Sequence, residues 1–347
     1  MYLLESRRSV RRSRRAVSTT WFVLALVIVA GAAVAVTAAY YTLRPVPASG
    51  SVTLTDDLGR TVVVPAHPQR VAVLSPSIMD SMFRLGLRLH VVAVDCYSAA
   101  FGGLTADYSS DQVALWGLSS SMCVQVGPSF DFEALLNATP DLVLASTIVS
   151  VSAVEEITST YHIPVVMLQP PTLSGIVVDV GLMGQMFHVP SAAEALSAQL
   201  QLELGNATTI AQNLTNAGVN FTTVLVVYSV NPAGSPSPGY YTFGPGTFGS
   251  SLIEVASATS ISANAQLPYP ELSGAQVLAA DPQVIICGTG FGLNVSSYAQ
   301  GPDWSALTAV KTGHDVGVDS NYLTEPDPTM ILVGLPTLLH YLHPNLA

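Results

Sequence analysis

The sequence predicts an α/β fold of two Rossmann-like lobes joined by a single long helix, with an N-terminal transmembrane helix in front of them. Three observations carry this. Short β-branched runs alternate with helix-permissive stretches in both halves of the chain, the pattern of layered and largely parallel sheets. Residues 173–217 are almost entirely helix-permissive and separate the halves. Residues 21–43, WFVLALVIVAGAAVAVTAAYYTL, hold no charge over 23 positions, enough to cross a hydrocarbon core of about 30 Å.

The expected layout is a basic cytoplasmic tail (1–20), a transmembrane anchor or uncleaved signal (21–43), and a linker (44–51, RPVPASGS). An N-terminal α/β lobe (52–172), a connecting helical segment (173–217) and a C-terminal α/β lobe (218–347) follow. Arg7, Arg8, Arg11, Arg12, Arg14 and Arg15 precede the apolar run, so the positive-inside tendency keeps the N-terminus cytoplasmic and the lobes outside, a single-pass cell-membrane topology. A signal peptide cleaved in the small-residue stretch around Ala35 to Ala39 is the rival reading. Beyond residue 43 there are 6 basic and 22 acidic side chains, a formal −16 against −11 for the whole chain. Such a surface repels phosphate backbones and excludes nucleic acid as a partner.

The lobes follow in order. Residues 71–74 (VAVL) and 91–94 (VVAV) read as strands, and 77–85 has helical spacing with Met79, Met82, Phe83 and Leu85 as core contacts. A short helix at 131–137 precedes continuous apolar runs at 142–145 and 164–168, the signature of strands buried on both faces. Within the connector His188, Val189 and Pro190 form one punctuation, where proline ends or kinks a helix. Strands at 223–228, 284–287 and 315–318 then alternate with helices at 249–258, 273–279 and 328–342. Two such lobes across a rigid connector make a cleft, the usual seat of a small ligand.

Several segments resemble the periplasmic-type substrate-binding proteins of metal-chelate ABC importers, the group that captures ferric siderophores, haem or vitamin B12. They are TLTDDLGRTVVVPAHPQRVAVLSPS at 53–77, VGPSFDFEALLNATPDLVLAS at 126–146, IPVVML at 163–168, YTFGPGTFGSSLIEVA at 241–256, LSGAQVLAADPQVIICG at 272–288 and WSALTAVKTGHDVGVD at 304–319. The resemblance implies a noncatalytic capture protein that docks on an ABC permease and ATPase complex and holds no intrinsic cofactor. The family commonly presents one glutamate per lobe to permease arginines. Those positions fall at Asp80 and near Ser251, with Glu254 the nearest acid to the second.

Aromatic and small polar residues near strand ends are the material for a chelate-binding cleft, since rings give contact area at small entropic cost and hydroxyl groups fix orientation. Ser75, Pro76, Ser77, Tyr97 and Trp116 supply them in the first lobe, and Tyr240, Tyr241, Phe243, Phe291 and Tyr322 in the second. Beyond residue 88 Lys311 is the sole cation, so a neutral, cationic or apolar ligand is favoured over a polyanion. A cobamide or a neutral hydroxamate siderophore meets that condition, and haem with two propionates fits less well. Cys96 and Cys123 flank one long loop and are the candidate disulfide, with three separate buried thiols as the alternative. Asn137, Asn206, Asn213, Asn220 and Asn294 begin N-x-S/T sequons, candidates for glycosylation.

Other chemistry finds no support. The glycine-rich FGPGTFG at 243–249 lacks the lysine of a phosphate loop, there is no G-x-S-x-G elbow, and the seven histidines contain no H-E-x-x-H pair, so neither a metal site nor an enzyme is expected. The competing class is a noncatalytic cell-surface interaction protein on the same fold.

Overall fold

The computed structural model describes residues 50–101, 117–127, 129–218, 222–231, 239–290, 292–299 and 304–344. The segment DDLGR turns the chain between strands β1 (Ser51–Thr55) and β2 (Thr61–Pro65), which pair antiparallel. The Asp56 carboxylate, 5% exposed, accepts the N–H groups of Leu58 and Arg60 at 3.1 and 2.9 Å, the Arg60 guanidinium at 2.6 Å, and the Met167 N–H at 3.2 Å. Gly59 takes a φ of 72°, a left-handed conformation that glycine adopts without strain.

The first lobe is one parallel sheet in the order β5-β4-β3-β6-β7, made of β3 (Val71–Leu74), β4 (Val91–Asp95), β5 (Cys123–Val124), β6 (Leu142–Ala145) and β7 (Val165–Met167). All residues of β3 and β6 are 0% exposed, which is why both read as unbroken apolar runs. Helices α1 (Pro76–Arg84), α2 (Cys96–Phe101), α3 (Phe132–Asn137) and α4 (Val151–Ser159) belong to this lobe. Asp131 caps α3 and Ser150 caps α4, each accepting a backbone N–H three residues on. The turn between β1 and β2 lies along β7: the Arg60 guanidinium donates to the Val165 carbonyl at 3.1 Å, and the Asp57 N–H donates to the Met167 carbonyl at 3.1 Å.

The long helical connector is two helices, α5 (Leu173–Met186) and α6 (Pro190–Asn216), divided at the expected punctuation of His188, Val189 and Pro190. Pro190 opens α6 at its first turn, where its missing N–H costs nothing, and His188 just before it holds a φ of 56°. The chain turns tightly there because Gly184 has no side chain; a Cβ on it would overlap the methyl of Ala193. His188 is tied to the first lobe, its Nε2 hydrogen-bonded to the Ala66 carbonyl at 2.7 Å.

In the second lobe β8 (Thr222–Val230), β12 (Val284–Thr289) and β13 (Asp315–Asp319) are parallel, while β9 (Gly239–Thr242) and β11 (Glu271–Ser273) extend the sheet antiparallel. Strand β10 (Ala258–Ser260) also pairs with β8, in parallel. Around them lie α7 (Phe248–Val255), α8 (Gly274–Ala280), α9 (Val295–Tyr298), α10 (Thr308–Lys311) and α11 (Asn321–Thr324). The end of the chain is a widened π-type turn, Met330–Gly334, running into α12 (Leu335–Leu342). Pro336 accounts for the widening, because its ring excludes the regular bond to the preceding turn. One contiguous apolar core passes from Val73 and Leu144 through Val180 and Leu200 to Val226, Ile286 and Leu338.

The transmembrane segment expected at 21–43 lies outside the described residues, as does the basic tail. Among the described residues no helix is long and apolar enough to cross a membrane. In place of the expected single-pass fold class and topology, the described residues hold two α/β lobes on a two-helix connector, without a membrane-spanning helix among them.

Candidate ligand-binding cleft

Parallel strands that share a sheet end at the same edge, and ligands of open α/β sheets lie beyond their carboxyl ends. In the first lobe those ends lead into Ser75, Cys96, Ser146 and Leu168; in the second, Gly290 and Ser320 follow β12 and β13. Ser75 and Ser77 bond hydroxyl to hydroxyl at 2.8 Å and are 2% and 4% exposed, with Pro76 buried at the start of α1 between them. Tyr97, half-buried, donates its phenol to Asn321 Oδ1 at 3.3 Å and so joins the two lobes. Burial and the acids Glu325, Asp319 and Asp95 push that phenol well above the usual tyrosine range.

The second lobe rearranges the expected aromatic wall. Tyr240 is 2% exposed, stacks on Trp304 with centroids 5.5 Å apart and donates to the Tyr298 carbonyl at 3.2 Å; it is core, not cleft. Phe243 is also 2% exposed and forms the floor under other rings, with centroids 4.8 Å from Tyr228, 5.6 Å from Phe248 and 6.4 Å from Tyr269. The rings that reach solvent above it are Tyr228 and Tyr269, which sequence reasoning missed. Tyr269 is 46% exposed, and burial beside Tyr269 and Tyr241 pushes the Tyr228 phenol up to about 12. Tyr241 sits on β9, between β8 and the edge strand β11, with its phenol between Asn231 Oδ1 (3.1 Å) and Glu271 Oε2 (3.3 Å), and Tyr322 is half-buried on α11. Trp116 and Phe291 lie outside the described residues.

A cavity of about 460 Å³ with a largely apolar lining opens on the first lobe beside the β1–β2 turn, walled by Leu58, Thr147, Val149, Val151 and Met167. None of these was singled out from sequence, since isolated aliphatic residues after a strand carry no motif. Among the described residues no group of three or more His, Cys, Asp or Glu side chains could hold a metal ion. Arg60, which also lines this cavity, pairs with Asp56, while Arg70 binds the Ala138 and Thr139 carbonyls, Arg84 binds Asp80 and Lys311 binds the Ala306 carbonyl.

Asp80 departs from its expected docking role. It is 0% exposed, pairs with Arg84 at 3.0 Å and accepts both the N–H and the hydroxyl of Thr329 at 3.2 Å, so its carboxylate faces the other lobe and not an external partner. Glu254 is exposed on α7. Cys96 and Cys123 are joined by a disulfide with Cα atoms 4.5 Å apart, and Cys287 is a buried free thiol. Of the sequons, Asn137, Asn206, Asn213 and Asn294 are exposed and Asn220 lies outside the described residues; Asn294 also caps α9.

Two α/β lobes on a helical connector, with the carboxyl ends of their parallel strands leading into Ser75, Cys96, Gly290 and Ser320, are the architecture of a two-lobed solute-binding protein. The chain belongs to the family described as "Periplasmic binding protein", whose sequence model matches residues 71–322. Within it the chain is related to the ABC-importer binding proteins for metal chelates, and its fold and family match noncatalytic binding proteins. It is 27% identical over 324 residues to the "Cobalamin-binding protein" of Halobacterium salinarum, covering 88% of this chain and 81% of that relative. It is 25% identical over 228 residues to the "Vitamin B12-binding protein" of Pectobacterium carotovorum, covering 64% and 72%. Among solved structures it superposes on the molybdate-binding protein MolA of Haemophilus influenzae with a TM-score of 0.68 at 20% identity, covering 85% of this chain and 92% of that one. For the vitamin B12-binding protein BtuF of Vibrio cholerae the TM-score is 0.62 at 21% identity, covering 79% and 96%. At such identities the structures show a shared fold alone.

Proposed function

We propose that this solute-binding protein captures a cobamide between its lobes and delivers it to an ABC permease and ATPase complex. The observation that carries the reading is the pairing of solvent-reaching aromatic rings, Tyr228 and Tyr269 over Phe243, with basic groups committed to structural bonds. Such a surface suits a large ligand with apolar faces and little negative charge. The names of the Halobacterium and Pectobacterium relatives point the same way. Ser75, Ser77, Tyr97 and Tyr322 are the proposed partners of these rings, and a neutral ferric hydroxamate is the second ligand of choice. Glu254 is the proposed permease contact.

Calorimetric titration with cyanocobalamin, a neutral ferric hydroxamate, haem and a tri-anionic ferric catecholate tests this. A cobamide dissociation constant on the order of 1 μM or below supports it, and tight catecholate binding without cobamide binding overturns it. Burial of Asp80 favours a second reading, a cell-surface interaction protein that has lost the transport ligand. Failure of the whole panel to bind would move the balance to that reading.

A further inference from the structure

Asp80 belongs to a larger group. Where α1 and the start of α2 meet the segment after β13, the interface holds five carboxyl groups: Asp80 and Asp95 from the first lobe, and Asp319, Glu325 and Asp327 from the second. Among the described residues Arg84 is the cation beside them: it pairs with Asp80 at 3.0 Å and also acts on Asp327. Asp80 and Asp95 are 0% exposed and Asp327 is 2% exposed.

These groups bind across the lobes. Asp80 takes the N–H and hydroxyl of Thr329, whose hydroxyl in turn accepts Arg84 at 2.5 Å. Glu325 accepts the Ser77 N–H, and the Tyr97 phenol reaches Asn321. On its own side Asp95 accepts the Ser98 N–H and hydroxyl at 2.8 and 2.6 Å, Asp319 accepts the Asn321 N–H at 2.9 Å, and Asp327 accepts the Met330 N–H at 2.9 Å. Arg84 pairs with Asp80 and also favours the ionised form of Asp327, but burial and the Asp80 carboxylate outweigh it there, and the charge acting on Glu325 is the Asp95 carboxylate. With Asp80, Asp95 and Asp327 buried and Glu325 and Asp319 half-buried, like charges so placed cannot all be ionised cheaply.

We propose that this interface is a proton-operated latch: with Glu325 and Asp327 protonated the lobes are held together, and their ionisation lets the lobes part. Burial first, then the Asp95 carboxylate, pushes Glu325 up to about 8, and burial with Asp80 beside it raises Asp327. Burial likewise raises Asp95. Parting the lobes returns these acids to water and to their ordinary range near 4, so the latched form binds more protons. By linkage it is favoured below about pH 4 and loses ground as pH climbs towards 8.

The test reads lobe separation in the full chain without ligand, so its outcome is independent of which solute the cleft takes. Spin labels on Val151→Cys and Leu267→Cys, one exposed site per lobe, report the inter-lobe distance by double electron–electron resonance. Between pH 5 and 9 the distribution is expected to move to longer distances. In the Glu325→Gln/Asp327→Asn variant, or in Glu325→Gln alone if the pair fails to fold, that shift is expected to shrink or vanish. An unchanged distribution in the parent protein, or an equal shift in a folded variant, overturns the latch.

Discussion

Asp57 and Asp179 share a hydrogen bond between their carboxyl groups, one from the β1–β2 turn and the other from α5. Asp57 is exposed and also accepts the Gln169 N–H at 2.5 Å, whereas Asp179 is 6% exposed. Only one of the two can be comfortably ionised, so the buried partner retains the proton.

Burial, and then the Asp57 carboxylate, push Asp179 up to about 8 from an ordinary 3.8. A raised carboxyl contributes stability that is complete below about pH 4 and lost as pH rises through 8, at about 1.4 kcal/mol per pH unit at most. Asp179→Asn keeps a donor for Asp57 and removes the titration. Its melting temperature relative to the parent should rise between pH 5 and 9, and a constant difference across that range would refute the shared proton.

Arg84→Met should cost about 3–5 kcal/mol in denaturant unfolding, because it leaves the Asp80 carboxylate buried without its cation. The double variant Asp80→Asn/Arg84→Met should recover much of that loss. Additive losses in the cycle would show that the two side chains do not act as a pair.

Removal of the Cys96–Cys123 bridge by Cys123→Ser should lower stability by about 3–4 kcal/mol on chain-entropy grounds, given a separation of 27 residues. Reductant should destabilise the parent by a similar amount and leave the variant unaffected.

Tyr269→Ala should weaken cobamide binding about tenfold, the worth of one well-placed ring, with little change in melting temperature since the side chain is 46% exposed. Phe243→Ala should lower both, because Phe243 is the buried ring on which Tyr228 and Tyr269 rest. Unchanged affinity in the Tyr269 variant would remove that ring from the site.

What the sequence reveals and conceals follows from the range of the forces involved. The unbroken apolar runs VAVL and LVLA identify two-face burial, and Pro190 marks the helix break, because each signal is local. The break divides the connector outright, since Gly184 allows α5 and α6 to pack closely, a contact between residues nine apart. Strands β9 and β11 are four and three residues long and pair antiparallel at an edge, too short to leave a period in the sequence. The burial of Tyr240 and Phe243 is hidden from the sequence for a related reason. Tyr240 and Tyr228 both look like strand residues, and only the pairing of β8 with β9 decides which ring packs on Trp304 and which lies over Phe243. The cross-lobe acids come from segments more than two hundred residues apart and have no sequence signature.

The Asp56 turn bears on how the protein behaves at high concentration. β7 is the last strand of its sheet, and a bare parallel edge is a template on which other chains can add strands. Here the outward groups of Val165 and Met167 are consumed by the Arg60 guanidinium, the Asp56 carboxylate and the Asp57 N–H. A charged side-chain clasp closes the border without a further strand, so the D-x-x-G-R motif protects the molecule against edge-to-edge aggregation.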